Sequence, residues 1–412
     1  MTFLRHDSRP FTTSGSSHRL SVRWLVNPGE QPRENCCITI ENGLVADLRP
    51  CSSADHIQPW IVFPPLVNAH THLEFSTLQQ PFSADGSFPD WIRRVLEWRN
   101  ETTDDQATRI RSGVIESRNA GVQLLGDIVT GPQNTTDLTA WQGINAVLFR
   151  EVIALTPARA QSQLDEMLLH LQQCAASQQP GMQAGISPHA PYTVHPEVLQ
   201  SLIQLAKQFH VPVAMHLAET VDEIQLLRQG SGPFADLLQQ IGVWDPRLFP
   251  GQRDPQEQLE QLRQAPQALV IHGNYLTEQH IAFLARHPQL TVVYCPRTHA
   301  RFQHPTHPFR QMQQAGVRVV LGTDGRSTNP DLSVLRELQH ILTMNPDLDI
   351  SSVLHMATTS AATALGLPAL SLPIRLGQPL HCTRLQLPSA ELSLTQALRH
   401  PDLQPIPVSD QH

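Results

Sequence analysis

The chain has 412 residues, 40% of them hydrophobic, and a formal net charge of −8 at pH 7. This hydrophobic content excludes wholesale disorder, and no apolar run approaches the roughly 20 residues that a membrane helix needs. The acidic balance argues against a surface for nucleic acid or anionic lipid. We therefore expect a globular protein that acts on a small molecule, without a nucleic-acid or membrane partner, and a homo-oligomer stays open.

Two features of the sequence bear on where the protein works. Residues 1–17 are polar and lack an apolar core of signal-peptide length, which predicts a flexible N-terminus. The six cysteines include no Cys-x-x-Cys pair and are too dilute for a disulfide framework. A reducing, cytoplasmic location is therefore expected.

Apolar runs alternate with amphipathic stretches along most of the chain. The predicted strands, in chain order, are Ile61–Ala69, Val122–Asp127, Asn145–Glu151, Gln183–Ser187, Val211–His216, Ala268–His272, Leu290–Cys295 and Val317–Thr323. This alternation is typical of parallel strands covered by helices, and eight such units in a segment of this length fit a (β/α)8 TIM barrel. The predicted fold class is therefore α/β.

The two ends of the chain differ from this middle part. Residues 18–60 and 370–412 are rich in β-type runs, proline and turns, which predicts one small β-sandwich formed from both ends beside a barrel of residues 61–369. The stretch 217–266, between the fifth and sixth predicted strands, is too long for a normal crossover. It predicts a lid or an extra helix.

Polar side chains terminate several of the predicted strands. His70 and His72 stand two apart at the end of the first strand, so their side chains point to the same face and can share a divalent metal. The pair alone is a weak signal in a chain with 21 histidines. His216 and His272 end the fifth and sixth strands, and Asp324 ends the eighth.

Each of these residues also has an ordinary interpretation. A buried histidine is more often a satisfied core residue than a ligand, and an aspartate after a strand often caps the next helix. Polar residues at the carboxyl ends of four strands are nevertheless hard to assign to packing, because active sites of barrels lie at that face. The pattern favours a common site.

The ordered motifs HTH, HLAE, IHGN and GTD resemble the amidohydrolase superfamily, in its cytosine/adenosine/guanine deaminase-like branch with one metal. Within that branch, LVNAHTHLEFS, FPDWIRRVLEWR and SPHAPYT resemble the aminodeoxyfutalosine deaminases of menaquinone synthesis. The chain departs from the family at Pro65, where glycine is usual, and at Gly325, where many members have serine. Both departures touch the rim of the site and leave the metal ligands in place.

The resemblance implies one divalent ion, Zn²⁺ foremost with Fe²⁺ or Mn²⁺ as alternatives, bound by His70, His72, His216 and Asp324. Such an ion lowers the pKa of bound water from about 15.7 toward 7. By the same resemblance, His272 orients the attacking hydroxide, Asp324 accepts its proton, and Glu219 protonates the ring nitrogen beside the attacked carbon. The implied reaction is hydrolytic deamination, with release of ammonia.

A second metal ion is not expected. Binuclear members of the superfamily bridge their ions with a carboxylated lysine at the end of the fourth strand, and the corresponding sequence here, GMQAGISPHAPY, contains none. The only lysine of the chain, Lys207, lies in an amphipathic stretch that predicts an outer helix.

Residues near the predicted strand ends and on the first loop are candidates for substrate contact: His189, Glu74, Trp91, Arg94, Arg99, Arg297 and His299. His189 resembles a substrate-binding histidine of the family, although a loop role is open, and Glu74 has an alternative as a helix cap. The tryptophan and arginines of the first loop suit a purine nucleoside that carries a carboxylate. Ordinary tryptophan packing with solvated arginines is an equal alternative.

The leading interpretation is a metal-dependent deaminase of an aminated purine nucleoside-type heterocycle, with 6-amino-6-deoxyfutalosine as the foremost substrate. The alternatives are a deaminase of adenosine, adenosylhomocysteine or guanine, and a chlorohydrolase or cyclic amidohydrolase. A non-catalytic scaffold is disfavoured, because none of the expected ligands is missing.

Overall fold

The computed structural model describes residues 17–130, 141–177 and 181–406. The predicted flexible N-terminus, apart from residue 17, therefore lies outside the described residues. Within these ranges no helix is both long and apolar enough to cross a membrane.

The strands of the described residues are, in chain order, β1 (Ser17–Leu25), β2 (Arg33–Glu41), β3 (Leu44–Pro50), β4 (Gln58–Phe63), β5 (Leu66–His72), β6 (Val122–Val129), β7 (Asn145–Val152), β8 (Met182–Pro188), β9 (Val213–Leu217), β10 (Ala268–His272), β11 (Leu290–Tyr294), β12 (Arg318–Leu321), β13 (Asp324–Gly325), β14 (Thr383–Gln386) and β15 (Gln404–Pro405).

The helices are α1 (Phe88–Glu101), α2 (Gln106–Asn119), α3 (Pro157–Ser177), α4 (Pro196–Phe209), α5 (Val221–Gln229), α6 (Pro233–Gln240), α7 (Gln256–Leu262), α8 (Glu278–Ala285), α9 (Pro296–Arg301), α10 (Phe309–Gln314), α11 (Val334–Met344), α12 (Ile350–Met356), α13 (Thr359–Ala364) and α14 (Leu394–Arg399). Short 3₁₀ turns occupy Leu73–Phe75 and Pro368–Ser371. The predicted lid segment, 217–266, contains three helices, α5 to α7.

The larger sheet is the predicted barrel. Its strands follow the order β12-β11-β10-β9-β8-β7-β6-β5-β13, and every neighbouring pair is parallel. β12 lies within the eighth predicted strand, Val317–Thr323, and β13 begins directly after it. The Thr323 amide donates to the His70 carbonyl, and Asp324 pairs with Thr71. The eighth strand thereby returns to β5, which confirms the (β/α)8 fold class.

Glycine allows this close approach of the first and eighth strands. A Cβ built on Gly322 would lie 2.9 Å from Cβ of His70 and 3.0 Å from the His70 carbonyl oxygen. A side chain at this position would therefore push β5 away and disturb the edge that carries two of the candidate ligands.

The smaller sheet joins both ends of the chain in the order β15-β14-β4-β1-β2-β3. It is one sheet of six strands within the described residues, in place of the two layers that a sandwich implies. The predicted strand Ile61–Ala69 is in fact two strands, because β4 ends at Phe63 and β5 begins at Leu66. Pro64 and Pro65 lie between them and cannot donate to a ladder. Residues 61–63 therefore belong to the small sheet.

Candidate active site

The predicted metal ligands lie at the carboxyl ends of barrel strands. His70 and His72 lie at the end of β5, His216 is the penultimate residue of β9, and Asp324 begins β13. His72 Nε2 lies 3.3 Å from His216 Nε2. Asp324 Oδ1 lies 3.5 Å from His70 Nε2 and 3.6 Å from His72 Nε2. One nitrogen from each of the three histidines lies within 4.8 Å of the other two.

The chemistry of this cluster fits a divalent ion. Both ring nitrogens of His70 and Nδ1 of His72 are buried without a hydrogen-bond partner. Burial, with a smaller contribution from neighbouring imidazoles, lowers the pKa of both rings well below the ordinary value, and burial also lowers the pKa of His216. Neutral imidazoles with free nitrogens and one carboxylate are ligands that Zn²⁺ takes. Without an ion to bind them, burying these nitrogens and this carboxylate costs free energy.

A second pair of side chains lies next to this cluster. His272 Nε2 lies 3.3 Å from Glu219 Oε1, and both side chains are buried. Burial raises the pKa of the Glu219 carboxyl well above its ordinary value, with Asp324 adding to the shift, and burial lowers the pKa of His272. Both shifts favour the uncharged forms, a protonated carboxyl beside a neutral imidazole. A protonated carboxyl can act as a proton donor.

Three non-glycine residues at this rim have a left-handed backbone conformation: Ala218 at φ 53°, His272 at φ 68° and Asp324 at φ 58°. This conformation costs on the order of 1–3 kcal/mol for such residues and concentrates at functional sites. Local hydrogen bonds hold it in place. His307 Nε2 lies 2.9 Å from the His272 carbonyl oxygen, and the Thr71 hydroxyl donates to the Asp324 carbonyl at 3.0 Å.

His189 is the predicted substrate residue that the structure places beside the cluster. Its ring centroid lies 5.2 Å from that of His216, and its carbonyl oxygen is 3.2 Å from His216 Nδ1. Its own Nδ1 lies 2.7 Å from the Thr193 hydroxyl. The backbone carbonyl of His189 therefore orients His216, and the ring of His189 lies next to the ring of His216.

Glu74 and Arg99 contact each other at the mouth. Arg99 donates to Glu74 Oε1 at 2.5 Å, and the Thr130 hydroxyl donates to Glu74 Oε2 at 2.9 Å. Burial lowers the pKa of His72 and His189, and the positive charge of Arg99 adds to the lowering. This arginine is therefore engaged with a carboxylate of the protein.

The structure gives four other predicted substrate residues different partners. Arg94 donates to the carbonyls of Ser83 and Asp85, and Trp91 stacks on Phe88. Arg297 donates to Glu337 Oε1 at 2.6 Å and to Asp331 Oδ1 at 2.7 Å, and His299 Nε2 lies 2.8 Å from the Pro305 carbonyl. None of these contacts, among the described residues, joins them to the histidine cluster. Arg94, Arg297 and Nε2 of His299 are engaged in contacts within the protein, whereas Nε1 of Trp91 is buried without a hydrogen-bond partner.

Glu151 is a further candidate for the site that the sequence analysis did not select. It lies near the end of β7, and burial raises the pKa of its carboxyl to about 7, against the opposing effect of Arg99. The charge of Glu74 also acts on it. Its position near the carboxyl end of the third barrel strand is the same signal that marked His216, so that rule could have found it.

An eight-unit parallel barrel with histidines and an aspartate at its carboxyl rim is the arrangement expected of an amidohydrolase. The profile of the Amidohydrolase family matches residues 61–371. The chain belongs to this family.

Curated proteins with similar sequences include two kinds of deaminase. The chain is 28% identical over 324 residues to the 5-methylthioadenosine/S-adenosylhomocysteine deaminase of Carboxydothermus hydrogenoformans, which covers 76% of this chain and 69% of that protein. It is 28% identical over 322 residues to the aminodeoxyfutalosine deaminase of Deinococcus radiodurans, with 74% and 73% covered.

Solved structures share the fold. Helicobacter pylori aminofutalosine deaminase in complex with methylthio-coformycin superposes with a TM-score of 0.79 at 20% identity, over 92% of this chain and 94% of that one. An adenosine deaminase from Xanthomonas campestris with bound zinc superposes with a TM-score of 0.66 at 22% identity, over 93% and 87%.

Proposed function

We propose that this chain is a metal-dependent hydrolytic deaminase of an aminated purine nucleoside-type heterocycle. The observation that carries the proposal is the convergence of three histidines and Asp324 beside the buried Glu219–His272 pair. The first group fits a divalent ion, and the second can hold and move a proton. Deamination of an aromatic C–NH₂ needs both.

The divalent ion would be held by His70, His72, His216 and Asp324. When bound, it would supply Lewis acidity that lowers the pKa of the water bound to it toward neutrality. The sole lysine, Lys207, is on α4. Its exposed Nζ donates to Gln264 Oε1 at 3.3 Å. No lysine is therefore present to bridge a second ion, and the proposal is one ion per chain, Zn²⁺ first, with Fe²⁺ or Mn²⁺ as alternatives.

The chain's own residues would move the protons. Glu219 donates its proton to the ring nitrogen beside the aminated carbon, which makes that carbon electrophilic. His272 orients the attacking water, and Asp324 accepts a proton from it. The water oxygen bonds to the carbon, and the proton taken up by Asp324 passes to the amino nitrogen. The C–N bond then breaks, ammonia leaves, and the remaining proton of the attacking oxygen returns to Glu219 as the C=O bond forms.

The substrate proposal rests on the curated relatives and on the mouth of the site. We propose His189, Glu74 and Glu151 as groups that would contact a nucleoside, with Arg99 paired to Glu74 beside them. We place 6-amino-6-deoxyfutalosine first, in menaquinone synthesis in the cytoplasm, with methylthioadenosine, adenosylhomocysteine and adenosine as competitors. Arg94 and Arg99 already have protein partners, so the choice depends on measurement of each compound.

The test compares ammonia release by Zn²⁺-loaded protein from these four compounds, with chloride release from a chlorinated triazine as the alternative reaction. Glu219→Gln keeps the shape of the side chain but cannot donate a carboxyl proton. We expect turnover on the preferred substrate to fall roughly 10²-fold or more, with the metal content unchanged in elemental analysis. His70→Ala should lower metal content and turnover together.

The matched control is Glu391→Gln, an exposed glutamate, which should keep wild-type turnover. Near-wild-type turnover of Glu219→Gln would remove its role as proton donor. Two metal equivalents in the site would contradict the single-ion proposal. Chloride release without ammonia release from any aminated purine would contradict deamination.

A further inference from the structure

The two carboxylate oxygens of Asp324 have different partners. Oδ1 faces the Nε2 atoms of His70 and His72 at 3.5 and 3.6 Å. Oδ2 accepts a hydrogen bond of 2.8 Å from the Thr328 hydroxyl. The Thr328 hydroxyl is therefore a direct contact of the Asp324 side chain on the side away from those two rings.

A second threonine contacts the same Thr328 hydroxyl. Thr298 Oγ1, at the start of α9, lies 3.0 Å from Thr328 Oγ1, and both residues are buried with exposures of only 2%. Thr328 has one hydroxyl proton, which can reach Asp324 Oδ2 at 2.8 Å or the Gly325 carbonyl at 3.1 Å. The charged and nearer acceptor forms the stronger bond. With that proton used, the proton between the two threonines comes from Thr298.

This contact is separate from those that hold the backbone of Asp324. The hydroxyls of Thr71 and Thr323 both donate to the Asp324 carbonyl oxygen at 3.0 Å. They hold the left-handed backbone and donate no hydrogen bond to the carboxylate. Among the described residues, the hydroxyl of Thr328 is the hydrogen-bond donor found on the carboxylate itself.

We propose that Thr328 is a positioning residue of the metal centre: its hydroxyl, oriented by Thr298, holds Oδ2 of Asp324 so that Oδ1 faces the histidines. The inference rests on the proposed function, because it assumes that Asp324 is a ligand. Partners of this kind behind a metal ligand typically contribute 10- to 100-fold to metal affinity or activity.

The experiment titrates Zn²⁺ into metal-free protein against a chromophoric chelator and measures kcat and KM at saturating Zn²⁺. Thr328→Val keeps the shape of the side chain and removes the hydroxyl. We expect Zn²⁺ affinity to fall about 10- to 100-fold and kcat to fall with little change in KM. Thr328→Ser retains the hydroxyl and should restore most of both. Thr298→Val should give a smaller loss in the same direction.

The control is Thr358→Val, which removes another buried threonine hydroxyl, one that donates to the Leu354 carbonyl away from the site. It should lower thermal stability while Zn²⁺ affinity and kcat stay at wild-type values. If Thr328→Val matches Thr358→Val in Zn²⁺ affinity and kcat, or if Thr328→Ser does not recover, the positioning role is overturned. A wild-type chain that binds none of Zn²⁺, Fe²⁺ and Mn²⁺ overturns the proposed function as well, which separates the two failures.

Discussion

The Glu223 carboxylate accepts hydrogen bonds from two consecutive backbone amides next to the candidate site. Its Oε1 accepts from the Ala218 N–H at 2.8 Å and its Oε2 from the Glu219 N–H at 2.9 Å. A glutamine has one acceptor oxygen, so in Glu223→Gln one buried N–H meets an NH₂ group, which costs about 1–3 kcal/mol. We expect Glu219 to shift and kcat to fall about tenfold or more, with the metal content unchanged.

Chemical denaturation, elemental analysis and turnover of Glu223→Gln would check this expectation. The exposed Glu391→Gln again provides the comparison, because it makes the same chemical change where no buried amide is involved. Wild-type turnover in a Glu223→Gln protein of reduced stability would show that Glu223 supports the fold and has no effect on Glu219.

At the scale of a strand, β8 packs against β7 inside the barrel without room for a side chain at Gly185. A Cβ there would lie 2.4 Å from Cδ1 of Phe149, which is itself buried. Gly185→Ala should therefore lower the free energy of unfolding by about 1–3 kcal/mol, because overpacking forces the ring or the strand to move.

A double-mutant cycle in chemical denaturation tests this cause. Phe149→Leu removes ring atoms next to Gly185, so we expect Gly185→Ala to cost less in the Phe149→Leu background than in the wild type. Strictly additive losses in the two variants would contradict a clash between these residues.

At the scale of the whole molecule, Thr383 links the small sheet to the barrel. Its hydroxyl on β14 accepts from the Leu66 amide at the start of β5 and donates to the Gly121 carbonyl before β6, both at 2.9 Å. Thr383→Val leaves a buried N–H and a buried carbonyl without their partner. We expect the unfolding free energy to fall by about 1–3 kcal/mol for each group, measured by calorimetry and denaturation.

Thr383→Ser keeps the hydroxyl and should recover most of that stability, since it loses only a methyl group. A Thr383→Val protein as stable as the wild type would mean that water or a shifted neighbour satisfies both backbone groups, and that this hydroxyl does not couple the sheets.

Local patterns in the sequence were sufficient to predict the barrel and the candidate ligands. The alternation of apolar runs marks the strands, and the carboxyl ends of parallel strands meet at one face of a barrel. His70, His72 and His216 could therefore be expected to lie together, and the structure brings them within 4.8 Å. Their binding of a metal ion stays a prediction. Pro64 and Pro65 also carried the signal that separates β4 from β5, although the predicted strand ran through both.

The partners of charged side chains depended on the tertiary structure. Arg99 meets Glu74 across 25 positions of sequence, and Arg297 meets Glu337 across 40. No spacing rule of a helix or strand connects such pairs, so Arg99 fitted a substrate carboxylate, and Arg297 another substrate contact, equally well. The sequence by itself determined which residues lie at the strand ends, because that follows from local periodicity. Only the folded chain decided which of their neighbours are already paired, because pairing depends on distances between segments remote in the chain.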